Sequence, residues 1–191
     1  SGQHGKFPVI IDNMMNLDLL FTASKLSGNP YYKETAVKHA NTTMPNHFRE
    51  DATSWHVVSY NSDGTVEMKQ TFQGKNDDSA WARGQAWGVY GYTAAYRETG
   101  DKTYLEFALK IADMIMERVK TEDAIPYWDY DAPADEDTPR DASAAAVTAC
   151  GLLELSTMID NGQKYFDYAE KILKSLSSDA YLAGEGENEG F

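Results

Sequence analysis

The feature that most limits what this chain can fold into is a turn signature that occurs three times. Ser27-Gly28-Asn29-Pro30-Tyr31-Tyr32, Thr99-Gly100-Asp101-Lys102-Thr103-Tyr104 and Asn161-Gly162-Gln163-Lys164-Tyr165-Phe166 share one order: a glycine, a short polar stretch, then an aromatic. A glycine after the last turn of a helix takes the left-handed conformation at little steric cost, and the aromatic enters the next helix. Each signature therefore predicts a helical hairpin. Their spacing is too irregular for a solenoid array.

The two arms of each hairpin differ in kind. After the glycine, Tyr104, Phe107, Ala108, Ile111, Ile115 and Val119 form one apolar stripe, and Tyr165, Ala169, Ile172 and Leu176 form another. Before the glycine, Met14–Leu26, Ala86–Tyr96 and Ala142–Met158 are apolar or small nearly all round. A helix that is apolar on every face is buried on every face, which predicts an inner and an outer helix in each pair. Inner helices in such a series run the same way, so their N-termini gather on one rim. Asp12, Arg83 with Gln85, and Asp141 with Ser143 collect there. Three hairpins are half of a six-pair α/α barrel, although periodicity alone does not separate an arc of a barrel from an open helical stack.

Two segments interrupt the helices. Trp55–Tyr60 and Val66–Phe72 flank Asn61-Ser62-Asp63-Gly64 and read as a small β-hairpin with an Asp-Gly turn over that rim. Tyr127–Arg140, with Pro133 and Pro139, reads as a long loop of the kind that is usually functional or mobile. The apolar residues after Ser1–Lys6 read as helical core, and nothing in Ser1–Lys6 looks like a signal peptide.

Charge removes some functions. With 17 basic and 30 acidic residues the net charge is −13, which argues against nucleic acid and anionic membranes as partners. The single cysteine, Cys150, cannot form an internal disulfide or a cysteine metal cluster, and its small-residue surroundings suggest a packed core thiol. His4, His39, His47 and His56 lack paired ligand spacing, so no metal is expected.

The residues that suggest chemistry lie on the rim. Asp12 stands at an inner-helix start, where it serves either as an N-cap or as a general acid/base. An acid at a helix N-terminus needs burial or a second carboxylate to hold its proton. Asp78-Ser79-Ala80-Trp81-Ala82-Arg83-Gly84-Gln85-Ala86-Trp87 is the most informative stretch. Arg83 and Trp87 share a helix face, and Gly84 permits close approach of a backbone or ligand. A guanidinium for a carboxylate and an indole for a sugar face suit a charged saccharide; a structural salt bridge from Arg83 is the plain alternative. His56 and Gln73 sit at opposite ends of the predicted β-hairpin.

Three stretches together resemble the unsaturated glucuronyl hydrolases of glycoside hydrolase family 88: Phe7–Leu17, Asp78–Trp87 and Pro139–Ala146. They come in the family's order across most of the chain. The resemblance implies a six-pair α/α barrel acting on lyase-generated oligosaccharides with a 4,5-unsaturated uronic acid at the non-reducing end. It implies hydration of the vinyl ether rather than displacement at the anomeric carbon, with no cofactor. Carried over by motif, Asp12 matches the general acid/base, and His56, Gln73, Arg83 and Trp87 match substrate-binding and water-positioning residues. The family also has a second Asp, after a His, upstream of its Ile-Ile-Asp-Asn motif, and further helices beyond the position of Phe191. On that resemblance residues 1–191 are one partial barrel domain, inactive alone, of a bacterial periplasmic or cytoplasmic enzyme. The rivals are an unsaturated rhamnogalacturonyl hydrolase acting on pectin fragments, a non-catalytic carbohydrate-binding α/α protein, and a helical protein in which Asp12 only caps a helix.

Overall fold

The computed structural model describes residues 7–184 and 186; the expectations for Ser1–Lys6, His4 and the last residues lie outside them. Six helices form three consecutive hairpins. They are α1 (Leu17–Ser27) with α2 (Pro30–His47), α3 (Ala82–Thr99) with α4 (Lys102–Arg118), and α5 (Ala142–Ser156) with α6 (Gln163–Leu176). α3 packs against both α1 and α5, so α1, α3 and α5 form the inner row and α2, α4 and α6 the outer one. The chain is an arc of α/α barrel: the signatures predict its hairpins, and the resemblance implies the barrel.

Local chemistry explains the helix ends. Gly28 and Gly100 lie at φ 69° and 72°, closing α1 and α3 through N–H bonds to Ser24 and Tyr96 carbonyls. Asn29 and Asp101 then cap α2 and α4 by accepting from the Tyr31 and Thr103 amides. The third turn departs from the expectation. Gly162 has φ −72° and begins α6, after a turn that follows α5. Its glycine answers to space instead, since a Cβ there would lie 1.9 Å from the Ser156 carbonyl oxygen.

The inner helices also correct the expectation of burial on every face. Only α3, with a neighbour on each side, approaches it. In α1, Leu19 is 71% and Leu26 84% exposed, while the Ala146 and Cys150 edge of α5 is open. Cys150 is therefore an exposed thiol, not a core one. α5 presents its other residues, Ala145, Ala149 and Leu152, to the core and leaves a small-residue edge facing away from α6.

The β-hairpin belongs to a three-stranded antiparallel sheet in the order β1 (Phe7–Ile10), β2 (Val57–Tyr60) and β3 (Val66–Gln70). Phe7–Ile10 is thus a strand and not helical core, with Phe7 paired to Tyr60 and Ile10 to Val57. Pro8 is tolerated because β1 is an edge strand. The Asp-Gly turn forms as expected, with Gly64 at φ 86° and Asp63 accepting the Thr65 amide.

Between β1 and α1 the chain makes a 3-10 turn, Ile11–Met14, whose Ile11 and Met14 are fully buried. The Ile11 amide donates to the His56 carbonyl at 2.9 Å, continuing the sheet to the turn. On the other side, a Cβ on Gly91 of α3 would stand 2.6 Å from Met14 Cβ and 3.0 Å from its carbonyl oxygen. The turn that carries Asp12 therefore rests directly on α3, and only glycine allows that approach.

Candidate active site

Asp12 is in the 3-10 turn, and neither that turn nor α1, whose N-cap is Asn16, uses a side-chain cap. Capping does not account for its carboxyl. The side chain is 21% exposed, and its Oδ2 stands 3.7 Å from His56 Nε2. Burial pushes the Asp12 pKa up, against the opposing pulls of its own backbone, His56, Arg83 and the Trp87 indole N–H. The result is a carboxyl that holds its proton to a higher pH than an ordinary aspartate.

His56 is 3% exposed at the mouth of β2. Its Nδ1 lies 3.2 Å from the Phe72 amide and 3.3 Å from the Gln73 amide, both of which donate to it. A nitrogen that accepts two N–H groups carries the lone pair, so the neutral ring has its proton on Nε2, facing Asp12. Burial pushes the imidazole pKa down and favours that neutral form. The Trp81 ring lies 4.4 Å away at 33°, fixing the imidazole plane.

Arg83 and Trp87 come from the first turns of α3. The Arg83 Nε is 3.5 Å from Asp141 Oδ2, and its guanidinium carbon lies 5.1 Å from the centre of the Trp81 ring. Asp12 Oδ2, His56 Nε2, Arg83 Nε and Trp87 Nε1 are each buried without a hydrogen-bond partner. The indole N–H is close enough to Asp12 to lower its pKa yet makes no well-formed hydrogen bond to it. Four of the five residues singled out from the sequence thus bring an unsatisfied polar atom to one place, where such atoms are costly without a partner. Gln73, the fifth, is exposed and reaches the site through its backbone amide, which donates to His56.

Gln85 and Gly84, both named from the sequence, hold this arrangement together with Asp129, which the sequence did not single out. Gln85 is fully buried and pins the loop before His56, accepting from the Ser54 amide at 2.8 Å and donating to the Trp81 carbonyl at 3.0 Å. Asp129, fully buried, staples the 127–140 loop to the segment after β3 through Ser79 Oγ at 2.6 Å and the Lys75 amide at 2.9 Å. Gly84 serves packing, since a Cβ there would meet Ile11 and Ser54 at 3.2 Å. An Asp in a long acidic loop carries no sequence mark that separates it from its solvated neighbours.

A cavity of about 450 Å³ lies elsewhere, between the end of α4 and the 127–140 loop. Its Arg118 and Arg140 are already paired with Asp131 and Asp123, at 2.8 and 3.1 Å, so it offers an anion little net charge. A smaller groove of about 300 Å³ is lined by Trp87, Tyr90, Met15, Ala146, Val147 and Cys150, and extends from the Trp87 side of the site. Among the described residues no group of three or more His, Cys, Asp or Glu could hold a metal ion, and no helix is long and apolar enough to cross a membrane.

Chemically, the site pairs a proton-holding carboxyl with an N–H donor, a cation and aromatic faces. It suits proton transfer to an anionic ring-shaped ligand. Comparison with known proteins points the same way. The chain is 48% identical over 187 residues to an unsaturated glucuronyl hydrolase of Formosa agariphila, covering 97% of this chain and 46% of that protein. It superposes at TM-score 0.93, with 53% identity, on the crystal structure of an unsaturated glucuronyl hydrolase specific for heparin, covering 98% of this chain and 51% of that one. A mutant of the Streptococcus agalactiae unsaturated glucuronyl hydrolase, complexed with dGlcA-GalNAc6S, superposes at 0.78 with 31% identity, over 92% of this chain and 48% of that one. The chain spans about half the length of these relatives.

A family model, glycosyl hydrolase family 47, matches residues 88–188. That match begins one residue after Trp87 and includes none of Asp12, His56, Gln73, Arg83 and Trp87. The unsaturated glucuronyl hydrolase of Formosa agariphila, by contrast, matches over 97% of the chain.

Proposed function

The chain belongs to the glycosyl hydrolases, with unsaturated glucuronyl hydrolases as its relatives along nearly its whole length, and on that premise we propose that it carries the proton-donating site of such an enzyme, of family 88. The substrate is a lyase-generated oligosaccharide ending in a 4,5-unsaturated uronic acid. The observation that carries this reading is the convergence of three unsatisfied polar atoms, His56 Nε2, Arg83 Nε and Trp87 Nε1, on the Asp12 carboxyl, whose pKa is raised.

In the proposed reaction Asp12 gives its proton to C4 of the double bond and positive charge develops at C5. Water adds at C5 and returns a proton to Asp12. The hemiketal so formed opens and releases the remaining sugar. His56 Nε2–H steadies the Asp12 carboxylate when the proton leaves, and with Gln73 it orients the water. Arg83 takes the uronate carboxylate, and Trp87 offers its indole to the ring. A second carboxylate helping Asp12 is expected from residues outside this chain, and the isolated segment is expected to be inactive.

The names of the relatives support a glycosaminoglycan-derived disaccharide over a pectin fragment. The organisms of the two relatives named with a source, both bacteria, support a bacterial origin, in either periplasm or cytoplasm.

The test uses the full-length protein carrying these residues, incubated with unsaturated chondroitin and heparin disaccharides, following loss of the ultraviolet absorbance of the conjugated uronate. Loss is expected, and Asp12→Asn removes it. Unchanged absorbance on every unsaturated substrate would sink the reading, and turnover surviving Asp12→Asn would take Asp12 out of its role.

A further inference from the structure

Asp141 is buried at 7% exposure, and both of its carboxylate oxygens are occupied differently. Oδ1 caps α5 by accepting from the Ala144 amide at 2.8 Å. Oδ2 faces Arg83 Nε at 3.5 Å. The backbone of Asp141 is itself held, its amide donating to the Pro126 carbonyl at 2.9 Å and its carbonyl accepting from Ala145 at 3.1 Å. A carboxylate fixed in this way is a rigid reference point for whatever it faces.

Arg83 is the longer and more exposed partner. It is about one-third exposed, on a long side chain with much rotamer freedom to lose. Asp141 faces the Nε side of the planar guanidinium, whose carbon lies over the Trp81 ring. The outer Nη edge makes no hydrogen bond among the described residues. A guanidinium drawn toward a fixed carboxylate at its Nε side and seated over an indole turns its Nη edge outward, which is what bidentate capture of a carboxylate needs.

We propose that Asp141 is the positioning residue of this site: it aims Arg83 at the ligand's carboxylate through the α5 N-cap. The proposal rests on the anionic-ligand reading given above. It also explains why an α5 N-cap is aspartate, since asparagine or serine would cap equally well but would leave Arg83 without a charged partner. The aim of the guanidinium thereby depends on α5 staying in register with α3.

The test is a double-substitution cycle in the full-length protein. Asp141→Asn retains a cap acceptor and removes the charge facing Arg83. It is expected to raise KM for unsaturated disaccharide roughly five-fold, with kcat within about two-fold, as for loss of binding shared by ground and transition states. In an Arg83→Met background the same change should have no effect. A silent Asp141→Asn in both backgrounds means that Asp141 only caps and overturns the proposal. A fall in KM also overturns it, because that is expected if Asp141 merely repels the ligand. Titration with glucuronate, read by indole fluorescence, makes the same comparison without turnover. An inactive wild type would then sink the proposed reaction while the role of Asp141 was still decided by affinity.

Discussion

Asp12 and His56 meet with Oδ2 and Nε2 3.7 Å apart, and the ring is turned so that a proton, not a lone pair, points at the carboxyl. Two backbone amides on Nδ1 impose that orientation. The segment after β3 that places Phe72 and Gln73 therefore determines whether a donor or an acceptor faces Asp12.

This tautomer is directly measurable. Long-range proton–nitrogen NMR correlations should show His56 protonated at Nε2 at neutral pH and still neutral somewhat below pH 6.5, its ordinary value, because burial disfavours the cation. Protonation at Nδ1 would contradict the geometry.

Asp12→Asn should abolish turnover yet stabilise the fold at neutral pH. The Asp12 pKa is raised in the folded state, so its contribution to stability is fully present below 3.8 and is lost as pH rises through the folded value. At pH 7 the carboxylate is a net burden that asparagine removes. Thermal melts of both proteins should show a higher Tm for the variant at pH 7 and a shrinking gap toward pH 4. A lower Tm at pH 7 would contradict the burial argument.

His47 gives the opposite pH dependence. It is fully buried at the end of α2, and burial pushes its pKa down from 6.5 to about 4. With the folded value depressed, its contribution is present above 6.5 and is lost as pH falls toward 4, on the order of 3 kcal/mol in all. Urea unfolding at pH 7 and pH 4.5 should show a smaller acid-induced loss for His47→Gln than for the wild type.

Gly91→Ala tests the seat of the turn that carries Asp12. The added methyl would meet Met14 Cβ and its carbonyl at 2.6 and 3.0 Å, and backbone cannot rotate away as a side chain can. A loss of about 1–3 kcal/mol is expected by chemical denaturation, with reduced kcat because Asp12 shifts with the turn. Gly100→Ala, in open space but at φ 72°, should cost stability without changing kcat.

Much of this was legible in the sequence because it is local. Gly28 and Gly100 announce their turns, Asp63-Gly64 announces the hairpin, and Arg83 and Trp87 fall on one side of α3 by spacing alone. The remainder depends on partners distant in the chain. Phe7–Ile10 has no alternation of its own and becomes a strand because Val57–Tyr60 offers an edge. Gly162 looks like its two counterparts but serves close packing against Ser156. Cys150 sits in an apolar run, and its exposure follows from which edge of α5 faces α3 and α6. Gln85 resembles a ligand-facing polar residue and proves to be a clamp on Ser54. Asp129 is anchored by Ser79 and Lys75, some fifty residues earlier in the chain.

The exposed Cys150 gives the molecule an experimental handle. It is the single thiol of these residues and opens on the groove that Trp87 and Tyr90 line. A maleimide dye attached there would sit beside the indole that is proposed to carry the sugar. Quenching between dye and Trp87 would then report ligand arrival optically, without any bond being broken.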